Sequence, residues 1–208
     1  MPSTLEKSAA DAIETLTALV PDFPKPGIVF RDLTPVFADG SALRLVTDAL
    51  VEPFRGRVDV VAGVEARGFV LAAAAAYALG VGVAVIRKAG KLPPHVISES
   101  YSLEYGEATL EVQPHNLPAG CRVLVLDDIL ATGGTLAAAT TLVERAGWTV
   151  TGVSVVLELD GLGGREALPG RDIRSLVVAL QPPVRFWPAA PSAASGTTAS
   201  VCVPGFGH

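Results

Sequence analysis

The chain has 208 residues, half of them hydrophobic, and a formal net charge of −5. This length and apolar content suffice for one domain with its own core, and the acidic balance argues against a broad electrostatic grip on nucleic acid. The two cysteines, Cys121 and Cys202, lie far apart and form neither a CxxC spacing nor a His/Cys cluster. The sequence therefore gives no support for a disulfide framework or a zinc site, and it indicates a reducing, cytoplasmic location.

Two segments bear on membrane targeting. Residues 1–20 carry charges throughout and lack the apolar stretch of a secretory signal. Residues 69–86 carry no charge and approach the length of a membrane span. However, this run consists largely of Ala and is interrupted by Gly80 and Gly82. We therefore expect a buried helix, a turn and a strand here, and no membrane association.

The N-terminal part of the chain predicts two helices with a loop between them. Apolar residues recur at helical spacing over residues 5–19. Residues 21–35 are rich in Pro and Gly and are expected to be mostly loop. A second helix is predicted from Ser41, as its N-cap, to about Phe54.

From residue 58 onwards, strand patterns alternate with helix patterns. The predicted strands are 58–64, 83–87, 122–127, 150–159 and 173–180, and the predicted helices are 67–79 and about 134–146. Continuous Val/Leu runs suit strands that are buried on both faces. The sequence therefore predicts an α/β fold in which helices flank a mostly parallel central sheet.

Two segments depart from this alternation. Residues 100–112 alternate apolar and polar residues around a turn signal at Tyr105-Gly106, which predicts either an antiparallel hairpin or a long mobile loop, spanning about 95–113, that projects from the sheet. Residues 182–208 are rich in Pro, Ala, Ser and Gly and contain little core material. We expect one main domain over residues 1–181, followed by a flexible tail.

The stretch "VLVLDDILATGGT", Val123–Thr135, carries the clearest chemical signal. An apolar strand leads to Asp127 and Asp128, and ligands of parallel sheets bind beyond the carboxyl ends of strands. The glycines and hydroxyls of residues 131–135 precede a helix start, where backbone N–H groups can cradle a phosphate. Adjacent carboxylates suit sugar hydroxyls or magnesium. A ribose 5-phosphate meets both requirements, whereas an ordinary strand end and helix cap is the simpler interpretation of either half alone.

This stretch resembles the phosphoribosyl pyrophosphate (PRPP) signature of type I phosphoribosyltransferases. Three further stretches, "DFPKPGIVFRDLTPVF" (22–37), "GVEARGFVLAAAAAYALGVGVAVIRKAGKLP" (63–93) and "SYSLEYGEATLEV" (100–112), are similar to the adenine phosphoribosyltransferase family. The resemblance covers about residues 5–180 in order. It implies the type I phosphoribosyltransferase fold with a small N-terminal hood, about residues 1–37, and a flexible catalytic hairpin.

The resemblance implies where each substrate lies. The 5-phosphate would bind at Ala131, Thr132, Gly133, Gly134 and Thr135, and the pyrophosphate at Glu65, Ala66, Arg67, Arg87, Lys88 and Lys91. Arginine and lysine side chains that converge at strand ends can neutralise a leaving pyrophosphate, although a solvated basic edge is the alternative. The family also implies a cis peptide bond at Glu65–Ala66. The Arg87–Lys91 segment would reach the neighbouring subunit of a homodimer.

The base and the catalytic groups follow from the same resemblance. Adenine would stack on Phe30, while backbone groups of Val29 and Arg31 read its edge. Glu104 would face the base as an acid or base, beside Tyr105 on the closing loop. Arg67 and the acid pair Asp127–Asp128 complete the catalytic set.

The implied activity is transfer of the 5-phosphoribosyl group from PRPP to adenine, giving AMP and pyrophosphate, with Mg²⁺ held mainly by PRPP. Two alternatives stay open. A transferase for hypoxanthine, guanine or xanthine would share the PRPP signature. A PRPP-sensing regulator would bind without catalysis, although such proteins normally need an added DNA-binding segment, and the N-terminus here is one short helix.

Overall fold

The computed structural model describes residues 3–103 and 106–180. The α-helices are α1 (Thr4–Leu16), α2 (Thr34–Ala38), α3 (Gly40–Val51), α4 (Arg67–Leu79) and α5 (Gly134–Arg145), and short 3-10 helices lie at Glu52–Phe54 and Pro114–Asn116. The strands are β1 (Ala18–Pro21), β2 (Val29–Asp32), β3 (Val60–Val64), β4 (Gly82–Lys88), β5 (Ile97–Leu103), β6 (Gly106–Val112), β7 (Arg122–Leu130), β8 (Thr149–Asp160) and β9 (Ile173–Leu180).

A central sheet of seven strands has the order β5-β6-β4-β3-β7-β8-β9. The strands from β4 to β9 in this order are parallel, whereas β6 is antiparallel to both β4 and β5. The mostly parallel sheet predicted from the sequence is therefore confirmed. All five residues of β3 are buried, as expected for a strand that is covered on both faces.

Each face of the sheet has its own apolar core. Helices α1, α3 and α4 pack on one face, where they meet Val61 and Leu124, and α5 packs on the other, where it meets Ala62 and Val125. Alternate residues of one strand thus enter opposite cores, because successive side chains of a strand point to opposite faces.

The uncharged run over residues 69–86 forms the predicted helix, turn and strand. Helix α4 ends at Gly80, whose φ of 69° gives the left-handed conformation common after a helix, and β4 follows. Ala72 and Ala75 are fully buried and let the helix approach the sheet closely. Within residues 3–103 and 106–180, the structure contains no helix with the length and apolar character of a membrane span.

The prediction was wrong in part for residues 5–35. Helix α1 ends at Leu16 because the backbone of Thr17 is extended, with φ −62° and ψ 120°. The Thr17 side chain and N–H both donate to the Ile13 carbonyl, at 2.6 and 2.9 Å, and the chain then enters β1. Strand β1 replaces the end of the stretch predicted as helix, and the segment predicted as loop contains its antiparallel partner β2 and the first two residues of α2. Asp22 has a φ of 58° and its carboxylate accepts from the Gly27 N–H at 2.7 Å. The turn residues thus mark the reversal between two short strands.

Two other boundaries differ from the prediction. Asp39, not Ser41, caps α3, since its carboxylate accepts from the Ala42 N–H at 2.8 Å. Strand β7 continues three residues beyond the predicted end at Asp127, because the twelve-residue β8 supplies backbone partners as far as Leu130. The acid pair therefore lies within the last part of a strand.

Residues 97–103 and 106–112 form the antiparallel hairpin β5–β6, one of the two predicted alternatives. The hairpin joins the sheet where Arg87 and Lys88 of β4 pair with Glu111 and Leu110 of β6. Its predicted mobility stays a prediction. Glu104 and Tyr105, and the predicted tail over 182–208, lie outside the described residues.

Candidate active site

Asp127 and Asp128 form the centre of the site and are both largely buried on β7. The Asp128 N–H donates to Asp127 Oδ1 at 2.9 Å. Burial raises the pKa of Asp127 well above its ordinary value, and the neighbouring charge of Asp128 raises it further. Two carboxylates held this close form a site that attracts hydroxyl groups or cations.

Arg67, the first residue of α4, lies next to this pair. Its guanidinium forms an ion pair with Asp128 Oδ2. No described residue gives this oxygen a directed hydrogen bond, so we regard the contact as chiefly electrostatic. The Arg67 guanidinium also lies over the Phe30 ring, 5.5 Å from its centroid. Arg67 therefore connects the acid pair to the aromatic residue predicted to bind the base.

Phe30 lies on β2, at the edge of the site. The Phe23 ring meets it edge-on with centroids 5.2 Å apart. Val29 and Arg31 flank Phe30 on the strand, and alternate residues of a strand direct their backbone groups to the same edge. The Arg31 guanidinium donates to the Leu180 carbonyl at 3.4 Å. These contacts place the β1–β2 pair beside the start of α4 and the end of β9.

The glycine-rich loop over residues 131–135 joins β7 to the N-terminus of α5. It lines a small cavity of about 80 Å³ together with Asp127. Gly133 has a φ of 83°, and a Cβ there would lie 2.5 Å from the Gly164 carbonyl oxygen, so only glycine fits. The loop presents backbone N–H groups and the Thr132 and Thr135 hydroxyls at a helix N-terminus, where an anion is favoured.

The β5–β6 hairpin contacts this loop. The Thr135 hydroxyl donates to the Tyr101 hydroxyl at 3.3 Å. Arg145 at the end of α5 donates to the Ser98 carbonyl at 2.7 Å and to the Glu99 carboxylate at 2.6 Å. The hairpin is therefore fixed against α5 at its base. Glu104 and Tyr105 belong to the part of the chain that the structure does not describe.

Glu65, Arg87, Lys88 and Lys91 form a second group. The Glu65 carboxylate accepts from Arg87 Nε at 3.2 Å and from the Lys88 N–H at 3.0 Å, and these contacts lower the pKa of Glu65. Arg87 also donates to the Lys91 carbonyl at 3.0 Å. The Glu65–Ala66 peptide bond is cis, as the resemblance implied. Glu65 lies two residues before Arg67, in the connection between β3 and α4. The Arg87 guanidinium is bound to Glu65 in this structure.

Sequence reasoning missed two residues of the site. A Cβ on Gly68 would lie 2.9 Å from the Leu126 carbonyl oxygen and 3.1 Å from Asp127 Oδ1, so this glycine lets α4 approach the acid pair. The sequence feature that could have identified Gly68 is its position directly after Arg67, at the start of a predicted helix. Tyr101 could not be singled out, because only the folded hairpin brings it to Thr135.

The donor set around the acid pair fits a magnesium ion that is held mainly by a phosphorylated substrate. Asp127 and Asp128 offer carboxylate oxygens, which magnesium prefers, and Asp128 Oδ2 lacks a directed hydrogen bond from the described residues. Among residues 3–103 and 106–180, no group of three or more His, Cys, Asp or Glu side chains could enclose a metal ion. Substrate oxygens would have to supply the remaining ligands.

Comparison with known proteins agrees with this geometry. The family model of the phosphoribosyl transferase domain matches residues 40–174. The chain is 66% identical over 172 residues to an adenine phosphoribosyltransferase of Renibacterium salmoninarum, which covers 83% of this chain and 94% of that protein.

Solved structures give the same result. The adenine phosphoribosyltransferase of Saccharomyces cerevisiae, complexed with D-2,5-dideoxy-2,5-imino-altritol 1,6-bisphosphate and adenine, is 38% identical with a TM-score of 0.78, over 82% of this chain and 99% of that one. The Trypanosoma brucei enzyme, in complex with AMP, pyrophosphate and ribose 5-phosphate, is 26% identical with a TM-score of 0.75, over 96% and 90%. The chain therefore belongs to the adenine phosphoribosyltransferase family.

Proposed function

We propose that this protein transfers the 5-phosphoribosyl group of PRPP to adenine, giving AMP and pyrophosphate. The observation that carries the proposal is the continuous contact from Phe30 through Arg67 to Asp128. This contact joins a surface suited to a planar base to carboxylates suited to a ribose. The glycine-rich loop over residues 131–135, here called the phosphate loop, directly follows β7. A relative that is 66% identical is named for this activity.

The ribose phosphate binds at the carboxyl end of β7. Residues 131–135 receive the 5-phosphate through backbone N–H groups and the Thr132 and Thr135 hydroxyls. Asp127 and Asp128 receive the ribose hydroxyls. As the bond from C1 to pyrophosphate lengthens, positive charge develops on the ribose ring, and these two carboxylates offset it.

Adenine stacks on Phe30, and the backbone of Val29 and Arg31 pairs with the polar edge of the base. The base N9 then attacks C1 from the face opposite the departing pyrophosphate, so that the configuration at C1 inverts. Holding the two substrates in line contributes much of the rate. The family resemblance assigns Glu104 to accept or donate the proton near the base, and Tyr105 to the loop that closes over the site.

The pyrophosphate leaves towards the β3–α4 connection. Arg67 neutralises part of its charge, and the segment from Arg87 to Lys91 supplies further cations. Because Arg67 pairs with Asp128 in the structure, pyrophosphate oxygens would compete with that carboxylate for the guanidinium. Magnesium, when bound, reduces the repulsion between the phosphate oxygens of PRPP.

The proposal includes a homodimer in which Arg87–Lys91 lies near the partner's site. Apolar side chains exposed on α4 and β4 support it, since Tyr77 is 91% exposed, Val70 45% and Val83 42%, and contiguous exposed apolar surface is typical of interfaces. A cytoplasmic location is supported by the low cysteine content.

The test offers adenine, hypoxanthine, guanine and xanthine separately, with PRPP and magnesium, and follows nucleotide formation. AMP from adenine alone is the expected result. Product from an oxo-purine would keep the transferase activity and overturn the choice of base. Binding of PRPP without product from any base would favour a regulator.

A further inference from the structure

The phosphate loop rests on a second loop, residues 161–168, which follows β8. A Cβ on Gly133 would lie 2.5 Å from the Gly164 carbonyl oxygen, and a Cβ on Gly164 would lie 2.4 Å from the Ala131 carbonyl oxygen. The two backbones are therefore in direct contact at two glycines, so the position of the phosphate loop depends on that of the second loop.

An ion pair fixes the second loop to the sheet. Arg165 donates from Nε and from a terminal nitrogen to the two carboxylate oxygens of Glu158, both at 2.7 Å. Ser175 on β9 donates to the same carboxylate at 2.7 Å and accepts from Arg165 at 3.1 Å. Glu158 is only 8% exposed. We call these three residues the Glu158–Arg165–Ser175 brace.

This geometry is stronger than that of an ordinary surface pair. Two parallel hydrogen bonds between a guanidinium and a carboxylate fix orientation as well as distance, and the hydroxyl of Ser175 holds the carboxylate from a third direction. Arg165 lowers the pKa of Glu158, so the carboxylate stays ionised at neutral pH. Leu168, at the end of the loop, is buried in the core beside α5.

We propose that Glu158 and Arg165 are positioning residues for the 5-phosphate: the brace holds Gly164 against Ala131 and Gly133, and so keeps the phosphate loop in its binding conformation before the ligand arrives. The proposal rests on the function proposed above and adds residues that touch no substrate. A loop that is ordered in advance loses less conformational entropy when it binds.

The experiment removes both charges together, because Glu158 left alone would be an uncompensated buried carboxylate. The double variant Glu158→Gln/Arg165→Met is compared with the control Glu144→Gln/Arg171→Met. Arg171 follows the same loop and donates to Glu144 at 2.7 Å. That pair makes no described contact with residues 131–135. Arg165→Lys, which keeps the charge but loses the paired hydrogen bonds, is the second test variant.

We expect the double variant to bind ribose 5-phosphate about tenfold more weakly and to raise the KM for PRPP by about the same factor. We expect kcat and the KM for adenine to stay within about twofold of wild type, because no adenine contact changes. The control should match wild type in ribose 5-phosphate binding, in the KM for PRPP, in the KM for adenine and in kcat. For Arg165→Lys we expect about threefold weaker binding of ribose 5-phosphate.

Unchanged ribose 5-phosphate binding in either folded variant would overturn the proposal. So would an equal loss of adenine and ribose 5-phosphate affinity, because that is the result of general structural damage. Should the double variant not fold, Arg165→Lys decides by the same two criteria. The two proposals fail separately: a wild-type protein that forms no AMP, but binds ribose 5-phosphate in a brace-dependent way, would overturn the function and support the inference.

Discussion

Arg67 and Asp128 form an ion pair that joins the N-terminus of α4 to β7 across the centre of the site. The same guanidinium lies over the Phe30 ring. In the proposed reaction it therefore contacts the base region, the ribose carboxylates and the path of the pyrophosphate.

Arg67→Met should lower kcat/KM by about a hundredfold or more, because one charged donor to a leaving group commonly contributes that much. Steady-state kinetics measure the effect. Arg57→Met is the matched control. The guanidinium carbon of Arg57, Cζ, lies 5.5 Å from the Phe54 ring centroid, and the Arg57 guanidinium pairs with Asp172. If both variants lost activity equally, the effect would not belong to the site.

Asp127→Asn should stabilise the protein at neutral pH while reducing activity. The raised pKa of Asp127 means that its carboxylate is harder to ionise in the folded state than in the unfolded state, so stability falls as pH rises above the unfolded pKa towards the folded one. Asn removes this cost and can still accept the N–H of Asp128. We expect the melting temperature at pH 7 to rise by about 2–4 °C, the shift that 1 kcal/mol gives in a domain of this size.

The pH dependence distinguishes this explanation from a general gain in stability. The difference in melting temperature between Asp127→Asn and wild type should shrink as pH is lowered from 7 to 5. Asp11→Asn, at an exposed position on α1, should show no such trend. A difference that grows on acidification would contradict the raised pKa.

Phe30→Ala should raise the KM for adenine by about tenfold, because stacking on an aromatic ring contributes about 1–3 kcal/mol per base. Ribose 5-phosphate binding, measured by calorimetry, should not change. Phe23→Ala should have a smaller effect on adenine, since Phe23 contacts Phe30 by its edge. Weaker ribose 5-phosphate binding in Phe30→Ala would mean that Phe30 does not act on the base alone.

Thr135→Val should weaken ribose 5-phosphate binding by about tenfold, the usual effect of one hydrogen bond to a charged group. The variant also removes the contact from Thr135 to Tyr101. Thr141→Val is the control on the same helix, because the Thr141 hydroxyl donates to the Ala137 carbonyl at 2.9 Å and not towards the loop. Equal binding by both variants would remove Thr135 from the phosphate site.

The sequence predicted those parts of the fold in which local pattern and tertiary burial agree. Helix α4 begins and ends at the predicted residues, because Arg67 starts it and Gly80 ends it. The β1–β2 pair was missed, since its strands have four residues each. Strand β1 directly follows the helical pattern of α1, and β2 lies among turn residues that dominate the local pattern. The extension of β7 to Leu130 depends on partners in β8, which no local pattern contains.

The same distinction applies to the site. The stretch from Asp127 to Thr135 is continuous in sequence, so its chemistry could be interpreted directly. The contact between Arg67 and Phe30 required the family resemblance, because 37 positions separate these residues. The Glu158–Arg165–Ser175 brace had no signal in sequence beyond the glycines before Arg165. Only the packing of Gly164 against Gly133 gives it a role.

The most direct test of the central claim compares AMP and pyrophosphate formation by wild type and by the double variant Asp127→Asn/Asp128→Asn, with adenine, PRPP and magnesium. The account predicts one pyrophosphate per AMP in wild type, and a rate at least about a hundredfold lower in a folded double variant. A double variant that works at the wild-type rate, or pyrophosphate release without AMP, would contradict it.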